Sequence, residues 1–193
     1  VYDADVLIGV KEVPLEMLIA VKTYFFFSHT TKEQPYNRTL LQTLLKKRIR
    51  MIDYEGLTNE NGSRIIGFGY YAGVVGAYNG IKAWGKRHKS FNLCSALELH
   101  SLAEMGEEFK KAKLPNIKIS LTGAGRVASG VNEVMGLMGV KKVTPEEYLN
   151  NSFNEPVYSQ LNVEHYNKRK DGKEMPRADF YTNYKEYESN FMR

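Results

Sequence analysis

Three short apolar runs punctuate the first third of the chain: Val6-Leu7-Ile8-Gly9-Val10, Tyr24-Phe25-Phe26-Phe27 and Ile49-Arg50-Met51-Ile52. They are rich in β-branched and aromatic side chains and continuous rather than alternating, the pattern of strands buried on both faces. Between the second and third runs the period changes. Over Asn37–Lys47, Leu40, Leu41, Leu44 and Leu45 form one helical stripe, and Lys46, Lys47 and Arg48 gather where cations suit a helix C-terminus. Strand, helix, strand predicts a right-handed parallel crossover. The connection Pro14–Val21 is shorter, with room for about two helical turns.

Further along, Glu55–Ser63 is polar with an Asn61-Gly62 turn signal. A glycine-rich helix is expected over Tyr71–Trp84, where Gly73, Gly76, Ala77 and Gly80 form a smooth face that another backbone can approach. Basic, polar residues 82–90 mark a boundary. A longer helix is expected over Leu93–Lys111, with Leu97, Leu102, Met105 and Phe109 in the core, then a strand over Ile117–Leu121 after Pro115. Beyond Tyr148 the composition turns polar and rich in Asn and Tyr, and no repeat is visible. The pattern predicts an α/β chain of parallel sheets in two parts, 1–87 and 88–193.

Composition narrows the class. With 42% apolar and 25% charged residues, the 193-residue chain has the balance of a globular protein. Its net charge, 27 − 22 = +5, could suit nucleic acid but suits an anionic cofactor equally well, and with the basic residues spread along the chain rather than gathered into one arm no nucleic-acid partner is expected. The single cysteine, Cys94, excludes a disulfide scaffold and fits a reducing, cytoplasmic setting. The longest apolar stretch, Ile65–Ile81, is shorter than the ~20 residues of a membrane span and carries Asn79 and five glycines, so no membrane helix is expected. The chain opens at Val1 within residues of a strand and stops at Met192-Arg193, which reads as a piece of a longer protein, truncated at both ends. Unpaired strand edges in such a piece favour self-association.

Each early strand ends in titratable groups: Lys11-Glu12, Ser28-His29 and Asp53-Tyr54-Glu55. In a parallel sheet these ends line one edge, beyond which ligands bind. Lysine, histidine and carboxylate converging there form a general acid/base set, although polar residues also suit a strand end that merely surfaces. His88, His100 and His165 lack such a setting, and the histidine spacing gives no metal motif, so no metal is expected.

The strand Lys118–Thr122 leads into Gly123-Ala124-Gly125-Arg126-Val127-Ala128 and then a helix over Val127–Met138. This is G-x-G-x-x-A in the strand–turn–helix context of a dinucleotide site. Gly123 permits the turn, Gly125 lets a pyrophosphate approach, Ala128 keeps the helix close, and the first helical amides, from Arg126 and Val127 onward, face the phosphate. The carboxylate that grips the ribose is expected at the end of the next strand, Lys141-Lys142-Val143. Glu146 and Glu147 come too late and instead begin a helix, with Thr144 and Glu147 as a capping box. NAD is the expected cofactor. Lys141 and Lys142 leave NADP as the alternative.

Together, Asp5-Val-Leu-Ile-Gly-Val-Lys-Glu-Val-Pro14, Phe27-Ser-His-Thr-Thr-Lys-Glu-Gln34, Ile52-Asp-Tyr-Glu55 and Phe68-Gly-Tyr-Tyr-Ala-Gly73 resemble the alanine dehydrogenase, transhydrogenase and saccharopine dehydrogenase superfamily, most closely the lysine-forming saccharopine dehydrogenases. The resemblance spans Ala4–Gly139. It implies two Rossmann-like domains with the active site between them, a small amino-acid-type substrate and a pyridine nucleotide. It further implies that Lys11 and His29 are the catalytic acid/base pair, that Glu12 and Glu55 tune them, and that Lys32 and Arg64 line the substrate cleft. Lys32, three places after His29, favours the saccharopine branch over alanine deamination. A homo-oligomer, or a non-catalytic nucleotide-binding module, also accommodates the motifs.

Overall fold

The structure is a computed structural model that describes residues 2–190. Val1 and the Met192-Arg193 ending noted above lie outside the described residues. The chain divides into two compact units, one ending at Gly67 and one beginning at Phe68.

The first unit holds a three-stranded parallel sheet of β1 (Val6–Lys11), β2 (Thr23–Phe27) and β3 (Arg50–Asp53), in that order. Helix α1 (Arg38–Lys46) joins β2 to β3, so the expected crossover is present. Its Leu40 and Leu44 pack with Leu18, Tyr24 and Phe26 into one buried cluster, with Leu7 and Met51 beside it. Leu41 and Leu45, the other half of the leucine stripe, are exposed. Only β2 approaches burial on both faces. In β1, Val6, Ile8 and Val10 are exposed, because α1 covers the opposite face alone. The connection between β1 and β2 is a single 3-10 turn over Leu15–Met17 rather than two helical turns.

The second unit begins with α2 (Gly69–His88). Helix α3 (Leu102–Phe109), β4 (Lys118–Thr122), α4 (Arg126–Leu137), β5 (Lys141–Lys142), α5 (Pro145–Asn150) and β6 (Val157–Leu161) follow. Strands β4, β6 and β5 form a parallel sheet in that order. Tyr78, Phe109, Leu121, Val134 and Tyr158 share its core. Helix α6 (Val163–Tyr166), the antiparallel pair β7 (Asn167–Arg169) and β8 (Tyr187–Ser189), and α7 (Arg177–Thr182) complete it. Among the described residues no helix is long and apolar enough to cross a membrane.

Three expectations need correction. The boundary near residue 87 falls at Gly67/Phe68, because α2 packs backbone-to-backbone on α4: a Cβ on Gly73 would stand 1.9 Å from the Val127 carbonyl oxygen, and one on Gly130 2.0 Å from that of Tyr70. Gly76 and Gly80 take no part in that approach, since a Cβ on either meets nothing within 4 Å. The long helix over 93–111 shrinks to α3, because serines stop it twice. Ser95 and Glu98 close a capping box around a single 3-10 turn, and Ser101 caps α3 by accepting from Glu104 N. Leu97, placed in the core by spacing, is therefore 92% exposed, whereas Met105 and Phe109 are buried. Finally, the polar stretch after Tyr148 contains β6, whose Val157, Tyr158 and Ser159 are all buried.

Candidate functional site

Two places carry chemistry, one in each unit. In the first, strand geometry converges the predicted side chains. A register shift between Ile8 and Lys11 sets Lys11 opposite Phe27, where continuous pairing would have set Val10. Such an irregularity re-aims a side chain, and the Lys11 ammonium lies 5.7 Å from the Phe27 ring centroid. The His29 ring stacks on the same phenyl at 6.2 Å. Lys11 Nζ and His29 Nε2 are 3.0 Å apart, inside the roughly 10 Å that adjacent parallel strands allow.

On its other side His29 Nδ1 lies 3.2 Å from Glu55 Oε2. Lys32 Nζ lies 3.2 Å from the same Nδ1. An Nδ1 proton would be donated to Glu55 and leave Nε2 to accept from Lys11, whereas a bare Nδ1 would accept from Lys32, so the tautomer decides which lysine the ring serves. Glu55 also holds Lys32 (3.3 Å) and Arg64 (2.6 Å) on Oε1. Its side chain is 8% exposed, while those of Lys32 and Arg64 are about half exposed. Burial pushes the Glu55 carboxyl up, but hydrogen bonds from His29 and Lys32 and the charges of Lys32 and Arg64 outweigh it, holding the group below its ordinary value. Lys11, His29, Lys32, Glu55 and Arg64 are thus one connected cluster. Glu12 is not part of it: the residue is exposed and has no polar partner among the described residues.

Sequence placed Ser28 and Asp53 at the strand ends but gave them no role beneath the cluster. Ser28 is 1% exposed and donates to Asp53 Oδ2, and Asp53 Oδ1 accepts from Glu55 N at 2.8 Å. The Asp-x-Glu spacing at the end of β3 was the available signal.

In the second unit the glycine loop sits as its motif demands. Gly123 has φ +87°, a conformation that favours glycine. A Cβ on Gly125 would meet nothing within 4 Å, so the backbone there is open to a ligand. Gly125 is the N-cap of α4 and supplies no side-chain cap to the first turn, which opens with Arg126, Val127 and Ala128. Arg126 and Val127 are exposed, and Ala128 is buried in the core. Beside the loop lies a crevice of ≈ 500 Å³ lined by Ala124, Lys142, Thr144, Glu147, Gln160 and Asn162 among others. The residues fit the pyrophosphate half of a dinucleotide. Glu147, which lines this crevice, is committed elsewhere: it accepts from Thr144 N (2.9 Å) and Oγ1 (3.0 Å) in the expected capping box.

Sequence did not reveal the part β6 plays. Gln160 Nε2 donates to the Gly123 carbonyl at 2.9 Å while its Oε1 accepts from Lys142 Nζ, also at 2.9 Å, so β6 braces the loop and fixes the lysine.

Parallel sheets and a strand–loop–helix of this form define an α/β protein with a nucleotide-type loop. No family model matches the chain. It is 34% identical over 165 residues to the mitochondrial α-aminoadipic semialdehyde synthase of Rattus norvegicus, covering 75% of this chain and 18% of the relative. It is 30% identical over 156 residues to the NAD+, L-lysine-forming saccharopine dehydrogenase of Candida glabrata, covering 74% of this chain and 40% of that enzyme. A solved L-alanine dehydrogenase aligns with a TM-score of 0.46 at 15% identity over 83% of this chain and 43% of its own. By sequence the chain is similar to saccharopine dehydrogenase, as its motifs led us to expect, and to α-aminoadipic semialdehyde synthase, which they did not point to. It spans less than half the length of either relative.

Proposed function

We propose that the intact protein is a pyridine-nucleotide-dependent oxidoreductase that cleaves the C–N bond of an amino-acid-type substrate, as in saccharopine to lysine and 2-oxoglutarate. The observation that carries this reading is the chain Lys11–His29–Glu55, linked at 3.0 and 3.2 Å on the carboxyl edge of three parallel strands. The names of the relatives supply the substrate class.

A secondary amine must lose its proton as its carbon gives up hydride, leaving an imine. Water then adds to that imine, and the carbinolamine parts into amine and carbonyl. These steps need one group to take the amine proton and one to activate water, and the Lys11–His29 pair supplies both. Glu55 orients the imidazole through Nδ1 and stabilises it when protonated. Lys32 and Arg64, cationic and half exposed at the rim, suit the substrate's carboxylates, a task in which arginine is particularly effective. Glu12 stands outside this scheme. NAD, or NADP, when bound would supply the hydride acceptor. Gly123, Gly125, Arg126, Val127 and Ala128 would hold its pyrophosphate, and Lys142, Gln160 and Asn162 line the adjoining crevice.

The test is a panel of saccharopine and alanine with NAD and NADP on the intact protein, read as absorbance of the reduced nicotinamide. Saccharopine-dependent reduction is expected. Turnover of alanine alone would assign deamination, and none with any substrate would leave a nucleotide-binding module.

A further inference from the structure

His29 is held in a conformation that an L-residue adopts reluctantly. Its φ is +56°, and it is followed at once by the 3-10 turn Thr30–Lys32. Something must over-determine that geometry, and the hydrogen bonds around it show what does. Ser28 Oγ accepts from Thr30 N at 3.1 Å and contacts Thr30 Oγ1 at 2.8 Å, bridging across His29. Asn37 Nδ2 donates to the His29 carbonyl at 3.1 Å. The hydroxyl proton of Ser28 goes to Asp53 Oδ2.

Asp53 ends β3 and pairs in register with Phe26 of β2, so its carboxylate sits where both strands end. Its two oxygens serve two segments. Oδ2 fastens the turn that carries His29, and Oδ1 takes the amide of Glu55 at 2.8 Å, fastening the turn that carries Glu55. Neither Asp53 nor Ser28 touches Lys11 or the His29 ring through any bond described above. We infer that Asp53, acting through buried Ser28, is a positioning residue that sets the separation between His29 Nδ1 and Glu55 Oε2, and so the working geometry of the acid/base pair. The inference rests on the dehydrogenase reading for its catalytic consequence, but not for its geometry.

Asp53→Ala and Asp53→Asn in the full-length protein test it. Misplacement by about an ångström costs up to about 10²-fold in rate. Asp53→Ala should therefore lower kcat with saccharopine and NAD by about 10- to 100-fold, with KM for NAD within about threefold. Asp53→Asn keeps an oxygen for Glu55 N and a polar atom for Ser28, and should recover most of that loss. If Asp53 acts through Glu55, Asp53→Ala in a Glu55→Gln background should cost less than about threefold more. Fully multiplicative losses, or an Asn variant as slow as the Ala variant, would overturn the inference.

If the wild-type protein reduces neither NAD nor NADP with any amino-acid substrate, the dehydrogenase reading falls and the geometry is judged by crystallography. The 3.2 Å separation of His29 and Glu55 should open beyond about 4 Å in Asp53→Ala. A separation unchanged in that variant would overturn the positioning role whatever the activity.

Discussion

The strand-edge cluster and the glycine loop are built by opposite means. Around His29, function requires side chains, and the protein crowds them: Lys11 on one side of the ring and the Glu55 carboxylate on the other, with Lys32 and Arg64 on that carboxylate, secured beneath by Ser28 and Asp53. Around Gly125, function requires that side chains be absent, so that backbone amides stay open to an anion. A proton-transfer site fails when a group is removed or displaced, whereas a phosphate cradle fails when something is added. The same contrast recurs between glycines of one helix, since Gly73 is needed for contact and Gly80 is not.

The largest effect is expected from removing a group. Lys11→Met in the intact protein should lower kcat by about 10²–10⁴, the usual contribution of a general acid/base. A loss below about threefold would make Lys11 a surface residue and leave His29 without its partner.

Adding a group to a contact comes next. Gly73→Ala places a methyl 1.9 Å from the Val127 carbonyl oxygen, and backbone cannot swing away as a side chain can. The overpacking cost, about 2–4 kcal/mol, exceeds the ~1 kcal/mol that alanine gains over glycine in a helix. Gly80→Ala meets nothing within 4 Å and should realise that gain, raising stability by about 0.5–1 kcal/mol. Chemical denaturation of the two variants should move in opposite directions. If Gly73→Ala stabilises as Gly80→Ala does, α2 does not approach α4 as described.

Adding a group to open space should leave the fold intact and obstruct the ligand. Gly125→Val should weaken dinucleotide binding by about 10- to 100-fold with an unchanged melting midpoint, because the branched side chain fills the space a pyrophosphate needs. Calorimetry showing wild-type affinity in a folded variant would reduce the loop to a packing element.

How far the sequence foretold these places follows from the range of the forces involved. Strand ends and the glycine loop are local patterns, so Lys11, His29, Glu55 and Gly123–Ala128 could be picked out by position. The Thr144–Glu147 capping box is equally local and forms as expected. What stayed hidden depends on partners distant in sequence. Val157–Leu161 is a strand because β4 and β5 flank it, although its neighbours are polar. The brace from Gln160 to Gly123 spans 37 positions, and the bond from Ser28 to Asp53 spans 25. Glycine content predicted a close helix approach but not which glycines would meet α4. Periodicity placed Leu97 in a helix core, and two serine caps, each stronger than one leucine's spacing, put it in solvent.

The smallest effect expected is a pH dependence confined to the strand-edge cluster. Glu55 is pushed up by burial and pulled further down by His29, Lys32 and Arg64, so its folded pKa lies below the ordinary 4.5. A depressed carboxylate stabilises the folded state above its unfolded pKa, and that contribution is lost as pH falls through the folded value. Glu55→Gln removes the charge at every pH. Wild type should therefore melt above the Gln variant at pH 6, the gap should begin to close as pH drops below about 4.5, and the two should converge once Glu55 is protonated in both states. Exposed lysine and arginine partners are screened, so raising salt should narrow the gap at pH 6 as well. Hydrogen exchange over residues 50–67, which carry the Glu55 turn, offers the same comparison without depending on global melting. A gap that widens towards acid would reverse the sign and mean that burial, not ion pairing, governs Glu55. In that case the carboxylate would be a proton donor rather than the fixed anion on which His29 is oriented.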